Sequence, residues 1–208
     1  MKALIKQTLR ILSGLAVSPA MLLFRLQAAC VGRDRALAGW SQLFSLLPGT
    51  TGVYLRHAFY RNVLQKCDTD AWIGFGTILS HAGASVGRTA YIGNYCSIGN
   101  VTIEDDVLIA SHVSVMNGCQ QHRTDRLDIP IREQTGVFLH VTIGRDTWIG
   151  ERATIAASVG RHCVIGAGAV VVSPIPDYSI AVGVPAKVIR DRRDDATTVE
   201  FPAARPTG

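Results

Sequence analysis

The sequence predicts an all-β solenoid that follows a helical segment at the N-terminus and precedes a short C-terminal extension. Aliphatic residues recur every six positions over about a hundred residues from Ile73, a period that fits a structural repeat and not a single helix or strand. Small side chains recur four positions after them. Upstream, apolar residues recur at spacings of three and four, which is typical of helices. We therefore divide the chain into a helical segment (1–66), a solenoid domain (67–190) and a flexible tail (191–208).

The helical segment is basic and amphipathic. It carries nine Lys or Arg residues against one acid, Asp34, whereas residues 67–208 carry twelve against fifteen. This asymmetry predicts contact with an anionic surface, such as peripheral contact with a membrane. Packing on the solenoid or on a sister subunit remains open, and nucleic acid is not expected because the basic residues alternate with apolar ones. The first helix is expected to place Ile5, Leu9, Leu12 and Ala16 on one face and Lys2, Lys6 and Arg10 on another.

Neither uncharged stretch of the helical segment is expected to span a membrane. The first, from Ile11 to Phe24, has only fourteen residues and contains Pro19, and the second is broken at Pro48. Arg25 interrupts the apolar run and argues against a signal peptide. The five cysteines form an odd set without a CxxC pair, which fits a reducing compartment. We therefore expect a cytoplasmic protein, peripheral at the inner membrane face.

The solenoid follows from the six-residue period. If each unit is a short strand and a corner, three units close a triangular coil, and equivalent residues stack between coils. A glycine beside the aliphatic residue is expected to take a positive φ at the corner. The aliphatic positions are Ile73, Leu79, Val86, Ile92, Ile98, Ile103, Ile109, Val115, Ile143, Ile149, Ile155, Val159, Ile165 and Val171. The small positions are Thr77, Ala90, Cys96, Val107, Val113, Thr147, Ala153, Cys163 and Ala169.

The repeat is interrupted once by a long polar segment. Val115 and Ile143 lie twenty-eight positions apart, so residues 117–140 are expected to protrude as a loop, the usual place for function on a rigid scaffold. Shorter spacings, five residues from Ile98 to Ile103 and four from Ile155 to Val159, indicate a tightened corner.

Five segments of the solenoid carry a family resemblance. They are Ile98–Ile103, Val115–Gly118 leading to His122, Val141–Gly150, Ile165–Val171 and Ala181–Arg190. With them the chain resembles the hexapeptide-repeat acyltransferases, in particular the maltose, galactoside and xenobiotic (streptogramin) O-acetyltransferases. The N-terminal segment is similar to that of exopolysaccharide acetyltransferases. The resemblance implies a left-handed parallel β-helix, a homotrimer, acetyl-CoA as co-substrate and active sites between neighbouring protomers.

The resemblance also implies roles for individual residues. His122 matches the catalytic histidine, and an imidazole is suited to remove a proton from a weakly nucleophilic hydroxyl. The residues matched to the CoA site are Trp148, Gly150, Glu151, Ala167, Val172, Ser173, Lys187 and Arg190, where Gly150 and Glu151 would offer backbone N–H groups to the thioester oxygen and Lys187 and Arg190 would meet the phosphates.

The sequence offers only candidate residues for the acceptor site and no clear metal site. Asn100, Asn117 and Asp125 are candidate acceptor-binding residues. His112 and His122 lie ten positions apart, so the histidine triad that would include His81 lacks its expected four-residue spacing and no metal is expected. His112, at a corner of its repeat, and His140, which borders the returning strand, are further candidates to line the cleft, and neither is assigned a role.

We expect an O-acetyltransferase that acts on a sugar hydroxyl in cell-surface polysaccharide or lipid-linked glycan synthesis. Two alternatives stay open, namely a streptogramin-type antibiotic O-acetyltransferase, indicated by the Met116-Asn117-Gly118 run, and a non-catalytic β-helical scaffold. The residues also leave open which hydroxyl or amine accepts and whether the acyl group is longer than acetyl.

Overall fold

Three helices precede a column of short strands. A computed structural model describes residues 2–195, and the remainder of the predicted tail, 196–208, lies outside the described residues. The helices are α1 (Lys2–Val31), α2 (Arg33–Ser45) and α3 (Gly49–Val63). Two 3-10 turns follow later, Ile131–Glu133 and Arg192–Asp195. The strands are β1 (Lys66–Cys67), β2 (Trp72–Ile73), β3 (Ile78–Leu79), β4 (Ser85–Val86), β5 (Tyr91–Ile92), β6 (Ser97–Ile98), β7 (Val101–Ile103), β8 (Leu108–Ile109), β9 (Ser114–Val115), β10 (Val141–Ile143), β11 (Trp148–Ile149), β12 (Thr154–Ile155), β13 (Val164–Ile165), β14 (Val170–Val171), β15 (Ser179–Val182) and β16 (Lys187–Asp191).

The strands form three parallel faces of a triangular coil. Face A contains β1, β4, β7 and β10, face B contains β2, β5, β8, β11, β13 and β15, and face C contains β3, β6, β9, β12 and β14. On face B, Ile73, Ile92, Ile109, Ile149 and Ile165 stand in register on successive coils. Strand β16 turns back antiparallel to β15 at the last edge. The predicted fold is confirmed as a left-handed parallel β-helix of about six turns with an N-terminal helical region.

Both predicted layers of inward side chains form the core. Every aliphatic residue of the repeat is at most 3% exposed, and every small position is at most 1% exposed. Where the small residue is Thr77, its hydroxyl donates to Gly93 O at 2.6 Å and accepts from the Cys96 N–H at 3.0 Å. Burial raises the pKa of Cys96. The polar atom of this layer is therefore satisfied, and the thiol remains a protonated packing group.

The glycines after the aliphatic residues serve a purpose other than the expected one. The positive φ values fall three residues after the aliphatic position, for example at Gly76 after Ile73 and at Tyr95 after Ile92. At Gly74, in contrast, a Cβ atom would lie 2.5 Å from Gly93 O on the next coil. The expectation of positive φ at these glycines is wrong, because they are needed for the close approach of stacked backbones.

All irregular spacings fall at one corner of the triangle. The seven-residue step from Leu79 to Val86, the shortened steps after Ile98 and Ile155, and the long loop after Val115 all connect face C to face A. We call this edge the loop corner. The other two corners keep the six-residue period, so the loop leaves the β-helix at its one variable edge.

Helices α2 and α3 cover the open end of the β-helix. The first coil has no preceding coil to pair with, and the helices supply its partners. The Leu79 N–H donates to Ser41 Oγ at 2.8 Å, and the Ala82 N–H donates to Asp34 Oδ1 at 2.8 Å. The buried Arg56 donates to Ile73 O at 3.1 Å. The helical segment is therefore a cap built onto the coil and not a separate appendage.

Helix α1 is continuous, and the face expected to carry its apolar residues is exposed. Pro19 lies inside it, and the Ser18 hydroxyl donates to Leu15 O at 2.7 Å, the carbonyl that Pro19 leaves without its helical donor. Leu9, Leu12 and Ala16, expected together on one apolar face, are exposed, and the Ile5 side chain lies outside the described part of the chain. By length and composition only, Lys6–Val31 could cross a membrane, which corrects the expectation that the run is too short.

Candidate active site

The protruding loop is held by bonds between its two arms. The Val137 N–H donates to Gln120 O at 2.7 Å, and the Leu139 N–H donates to Asn117 O at 2.8 Å. At the tip, the buried Gln134 amide donates to Arg126 O at 2.7 Å. The loop therefore presents its side chains from a bonded hairpin-like frame.

His122 lies on the outgoing arm of this loop. Its side chain is exposed and lines an open cavity with Gln120, Thr124 and Val137. Among residues 2–195, the structure gives its ring no hydrogen-bond partner. The imidazole can therefore receive a proton from a molecule that enters the cavity.

Two other histidines belong to a polar column along the loop corner. Asn117 is 6% exposed, and its amide nitrogen donates to His81 Nε2 at 3.2 Å. Its Oδ1 accepts from the Asn100 N–H at 2.5 Å. Asn100 Oδ1 lies 3.1 Å from His140 Nδ1, and Thr102 Oγ1 lies 2.8 Å from His140 Nε2. The links run from the corners of the first and second coils to the residues that begin and end the loop, so the column fixes the base of the loop.

Both ring nitrogens of these two histidines are engaged. Because His81 Nε2 accepts from an amide, its Nδ1 carries the proton and donates to Ser80 Oγ at 2.9 Å. His140 Nδ1 likewise donates to Asn100, and its Nε2 accepts from the Thr102 hydroxyl. Sequence reasoning missed this column, although the irregular unit that contains His81 was a signal for it. Of the three histidines near the loop, His122 alone has an uncommitted ring within the described residues.

The candidate acceptor residues are already partnered. Asp125 forms a two-pronged ion pair with Arg123, with nitrogen to oxygen distances of 2.8 and 2.7 Å, and this hydrogen bonding lowers the pKa of Asp125. Asn100 and Asn117 use their amides within the column. Asp125 shares the cavity with His122, whereas the two asparagines lie at the loop base. Their contact with an acceptor stays a prediction.

The candidate CoA residues fall into separate groups. Gly150, Glu151 and Ala167 share the corner between faces B and C, where a Cβ on Gly150 would lie 2.5 Å from Ala167 N. The Gly150 N–H donates to Ile165 O at 2.8 Å. Because the Gly150 N–H is already bonded within the sheet, only the Glu151 N–H of these two residues could donate to the thioester oxygen.

Val172 and Ser173 lie across face C, at the loop corner. Both are exposed, and Val172 O is 3.9 Å from the sulfur of Cys119, three residues before His122. The loop therefore extends down the corner toward the later coils. Lys187 and Arg190 lie on the exposed strand β16 at the far edge of face B, and the structure does not bring them together with His122 within one protomer.

Trp148 belongs to an apolar stripe on the outer side of face B. It stands in register with Leu108, Tyr91 and Trp72 on the preceding coils. These four side chains are 39–51% exposed, and Trp72 stacks on Tyr91 with ring centroids 6.2 Å apart. A contiguous apolar stripe of this kind is typical of a surface that packs against another subunit.

A cavity lined by several charged side chains lies elsewhere, at the corner between faces A and B. Its carboxylate Asp105 accepts from Arg88 at 2.8 Å and from Arg145 at 3.4 Å, and the Arg88 hydrogen bond lowers the pKa of Asp105. Arg161 is paired with Asp177 at 2.9 Å. Arg88, Arg145 and Arg161 are thus each paired with one of two carboxylates. Within residues 2–195, no group of three His, Cys, Asp or Glu side chains is arranged to hold a metal ion.

Comparison with known proteins places these features in context. The family model for the hexapeptide repeat of succinyl-transferase matches residues 140–173. The galactoside O-acetyltransferase of Escherichia coli is 30% identical over 147 residues, which cover 67% of this chain and 70% of that protein. A solved galactoside acetyltransferase in complex with coenzyme A superposes with a TM-score of 0.70 and 25% identity, covering 86% of this chain and 92% of that one.

Two further relatives are longer than the region of similarity. A probable acetyltransferase of Mycobacterium tuberculosis, Rv3034c, is 37% identical over 142 residues, covering 62% of this chain and 46% of that protein. The putative lipopolysaccharide biosynthesis O-acetyl transferase WbbJ of Escherichia coli is 37% identical over 101 residues, covering 45% and 52%. The chain thus spans about half the length of these two relatives.

Proposed function

The chain belongs to the hexapeptide-repeat acetyltransferase family, and from this premise we propose that it transfers an acetyl group from acetyl-CoA to a sugar hydroxyl with His122 as general base. The observation that carries the proposal is the contrast between His122 and its neighbours. His122 projects an uncommitted imidazole into an open cavity, whereas His81 and His140 are engaged at both ring nitrogens.

The proposed reaction is a direct transfer. The imidazole of His122 takes the proton of the acceptor hydroxyl as its oxygen attacks the thioester carbonyl carbon. The resulting tetrahedral oxyanion collapses with cleavage of the carbon–sulfur bond, and the departing CoA sulfur receives the proton from the imidazolium. A backbone N–H that meets the oxyanion contributes about 3 kcal/mol in comparable sites, and Glu151 is our candidate donor.

Donor binding is proposed to follow the groups already described. The solved relative is a complex with coenzyme A. Ala167 and Gly150 would line the pantetheine arm at one corner, Val172 and Ser173 would flank the adenosine arm, and Lys187 and Arg190 would pair with phosphates. Because these groups lie apart in one protomer, a complete site would combine two protomers.

We propose a homotrimer for this reason. The exposed stripe from Trp72 to Trp148 on face B supplies an apolar surface that the monomer leaves in water. In the trimer, the stripe would pack beside the loop corner of a neighbour and bring His122 of one protomer to the CoA groups of the next.

The acceptor class and location are also proposals. The names of two relatives, a galactoside O-acetyltransferase and a putative lipopolysaccharide biosynthesis O-acetyl transferase, support a sugar hydroxyl in cell-surface polysaccharide or lipid-linked glycan assembly. The five cysteines are free thiols, which is compatible with a cytoplasmic protein.

The test is release of free CoA thiol from acetyl-CoA in the presence of a panel of nucleotide sugars, lipid-linked glycans and a streptogramin. With the accepted substrate, His122→Ala is expected to lower kcat by about 10²- to 10⁴-fold. The matched control is His162→Asn, because His162 lies at the corner between faces A and B, away from the loop and from the proposed donor residues at the corner between faces B and C, and an asparagine tolerates its positive φ of 58°. This control should retain wild-type kcat.

Three results would contradict parts of the proposal. Equal activity of His122→Ala and wild type would exclude His122 as base. If only the streptogramin is acetylated, the acceptor is the antibiotic and not a sugar. Absence of both CoA binding and thiol release with every acceptor would identify a non-catalytic scaffold.

A further inference from the structure

Helix α1 buries one face against the other two helices. Val17, Met21 and Phe24 are at most 8% exposed. Phe24 meets Phe59 of α3 edge to face, with ring centroids 5.7 Å apart. On the same side of the helix, Arg10 reaches down to Asp70 of the first coil at 2.6 Å. From Arg10 to Phe24, one side of the helix is thus turned toward the body of the protein.

The opposite face of α1 is uncharged and rich in leucine. Its outward residues are Leu4, Ile11, Leu12, Leu15, Leu22, Leu23 and Leu26, all 55–71% exposed. By helical spacing, the charged residues Lys6, Arg10 and Arg25 fall outside this arc. An uncharged, leucine-rich face of this length on a surface helix needs a partner.

The width and charge of this region identify the partner. Leu12 and Leu23 widen the arc beyond the narrow seam that a second helix would cover in a coiled coil. A second copy of the chain would also bring the same excess of nine basic residues over one acid in residues 1–66, so two such surfaces repel. An anionic lipid surface satisfies both properties, since it accepts the leucines and attracts exposed cations such as Arg25 and Arg35.

We propose that the outward face of α1 docks on an anionic phospholipid bilayer, with the helix lying parallel to the membrane plane. Its apolar stretch of 26 residues is about 39 Å long at 1.5 Å per residue, and a flat orientation submerges its leucines together. A spanning orientation would strip Val17, Met21 and Phe24 from α2 and α3 and break the Arg10 to Asp70 contact. The inference is independent of the acetyl transfer proposed above.

The experiment is co-sedimentation of the full chain with vesicles of phosphatidylcholine, with or without one quarter phosphatidylglycerol. Wild type is expected to bind the anionic vesicles about tenfold more strongly than the neutral ones. The double variant Leu15→Glu/Leu22→Glu should bind at least about 100-fold more weakly, because two inserted leucines are lost. The matched control is Ile189→Glu on β16, since Ile189 is 62% exposed and Leu22 is 61% exposed. It should bind like wild type.

A second pair of substitutions tests the charges. Arg25→Gln/Arg35→Gln should lose the preference for anionic vesicles while keeping the weaker binding to neutral ones. Thiol release with a soluble acceptor should be unchanged in Leu15→Glu/Leu22→Glu, which separates failure of docking from failure of the proposed activity.

Other results would overturn the inference. If the wild type binds neither vesicle type and Leu15→Glu/Leu22→Glu changes the oligomeric mass in light scattering, the outward face of α1 contacts a second copy of the chain. Resistance of the expressed protein to alkaline carbonate, with release only by detergent, would indicate a spanning helix. Equal loss of binding in Ile189→Glu would show that the leucine face has no special role.

Discussion

Replacing Ser41 with alanine tests whether the helices hold the open end of the β-helix. Ser41 is fully buried, and its Oγ accepts from the Leu79 N–H at 2.8 Å and lies 2.7 Å from the Tyr60 hydroxyl. Burial raises the pKa of Tyr60 to about 12, so that hydroxyl stays protonated and needs a partner. The substitution leaves two buried polar groups without this partner, each at a cost of about 1–3 kcal/mol. We expect a loss of about 2–6 kcal/mol in the free energy of unfolding.

The assay is urea unfolding followed by circular dichroism at several protein concentrations, because assembly contributes to stability. Ser45→Ala is the matched control, since Ser45 is also buried on the same helix, at 4% exposed, but its hydroxyl donates only to Gln42 O, one turn away. It should cost about 1 kcal/mol or less. Equal losses in the two variants would refute the idea that Ser41 anchors the first coil.

Three further expectations concern the coil itself. Ile109→Ala should lower the free energy of unfolding by about 2–5 kcal/mol in urea titration, because Ile109 is fully buried in the aliphatic stack; a loss below 1 kcal/mol would contradict tight packing there. Gly93→Ala should destabilise the fold, because its Cβ would lie 2.6 Å from a carbonyl carbon of the next coil, whereas Gly39→Ala in α2 meets no atom within 4 Å and should stabilise. Arg88→Gln should raise the pKa of Asp105, measured by carbon NMR titration, because the Arg88 hydrogen bond lowers it. In the wild type, ionised Asp105 stabilises the folded state at pH values above the pKa that it has in the unfolded chain, and this stabilisation is lost as the pH falls through its lower folded-state pKa. An unchanged titration of Asp105 in Arg88→Gln would refute the pairing.

Much of the fold was predictable because its interactions are repetitive. A stacked coil needs an inward-facing aliphatic side chain at about every sixth residue. The burial of Ile92, Ile109 and Ile149 could therefore be predicted from their spacing alone. The long gap after Val115 predicted the loop for the same reason. Gly93 was recognised as a corner residue, but its true requirement depends on the distance to Ala110 on the next coil, which spacing along the chain does not contain.

The candidate site was predictable in part. Resemblance singled out His122, and the loop position agrees with that choice, but the comparison among histidines required the structure. His81 and His140 lie far apart in the sequence and are linked through Asn117 and Asn100 because successive coils stack at the loop corner. The hydrogen bonds that occupy their rings follow from this stacking.

By itself, the sequence determined the period, the inward residues, the place of the loop and the basic character of the first 66 residues, because these properties depend on residue type and spacing. Tertiary structure decided which face of α1 is buried. Spacing grouped Leu9, Leu12 and Ala16 as one apolar face, whereas Phe59 and Asp70 select the side that carries Phe24 and Arg10. When a helix carries apolar residues on more than one side, the side that fits its packing partners is the one that becomes buried. Those partners are brought together only in the folded chain.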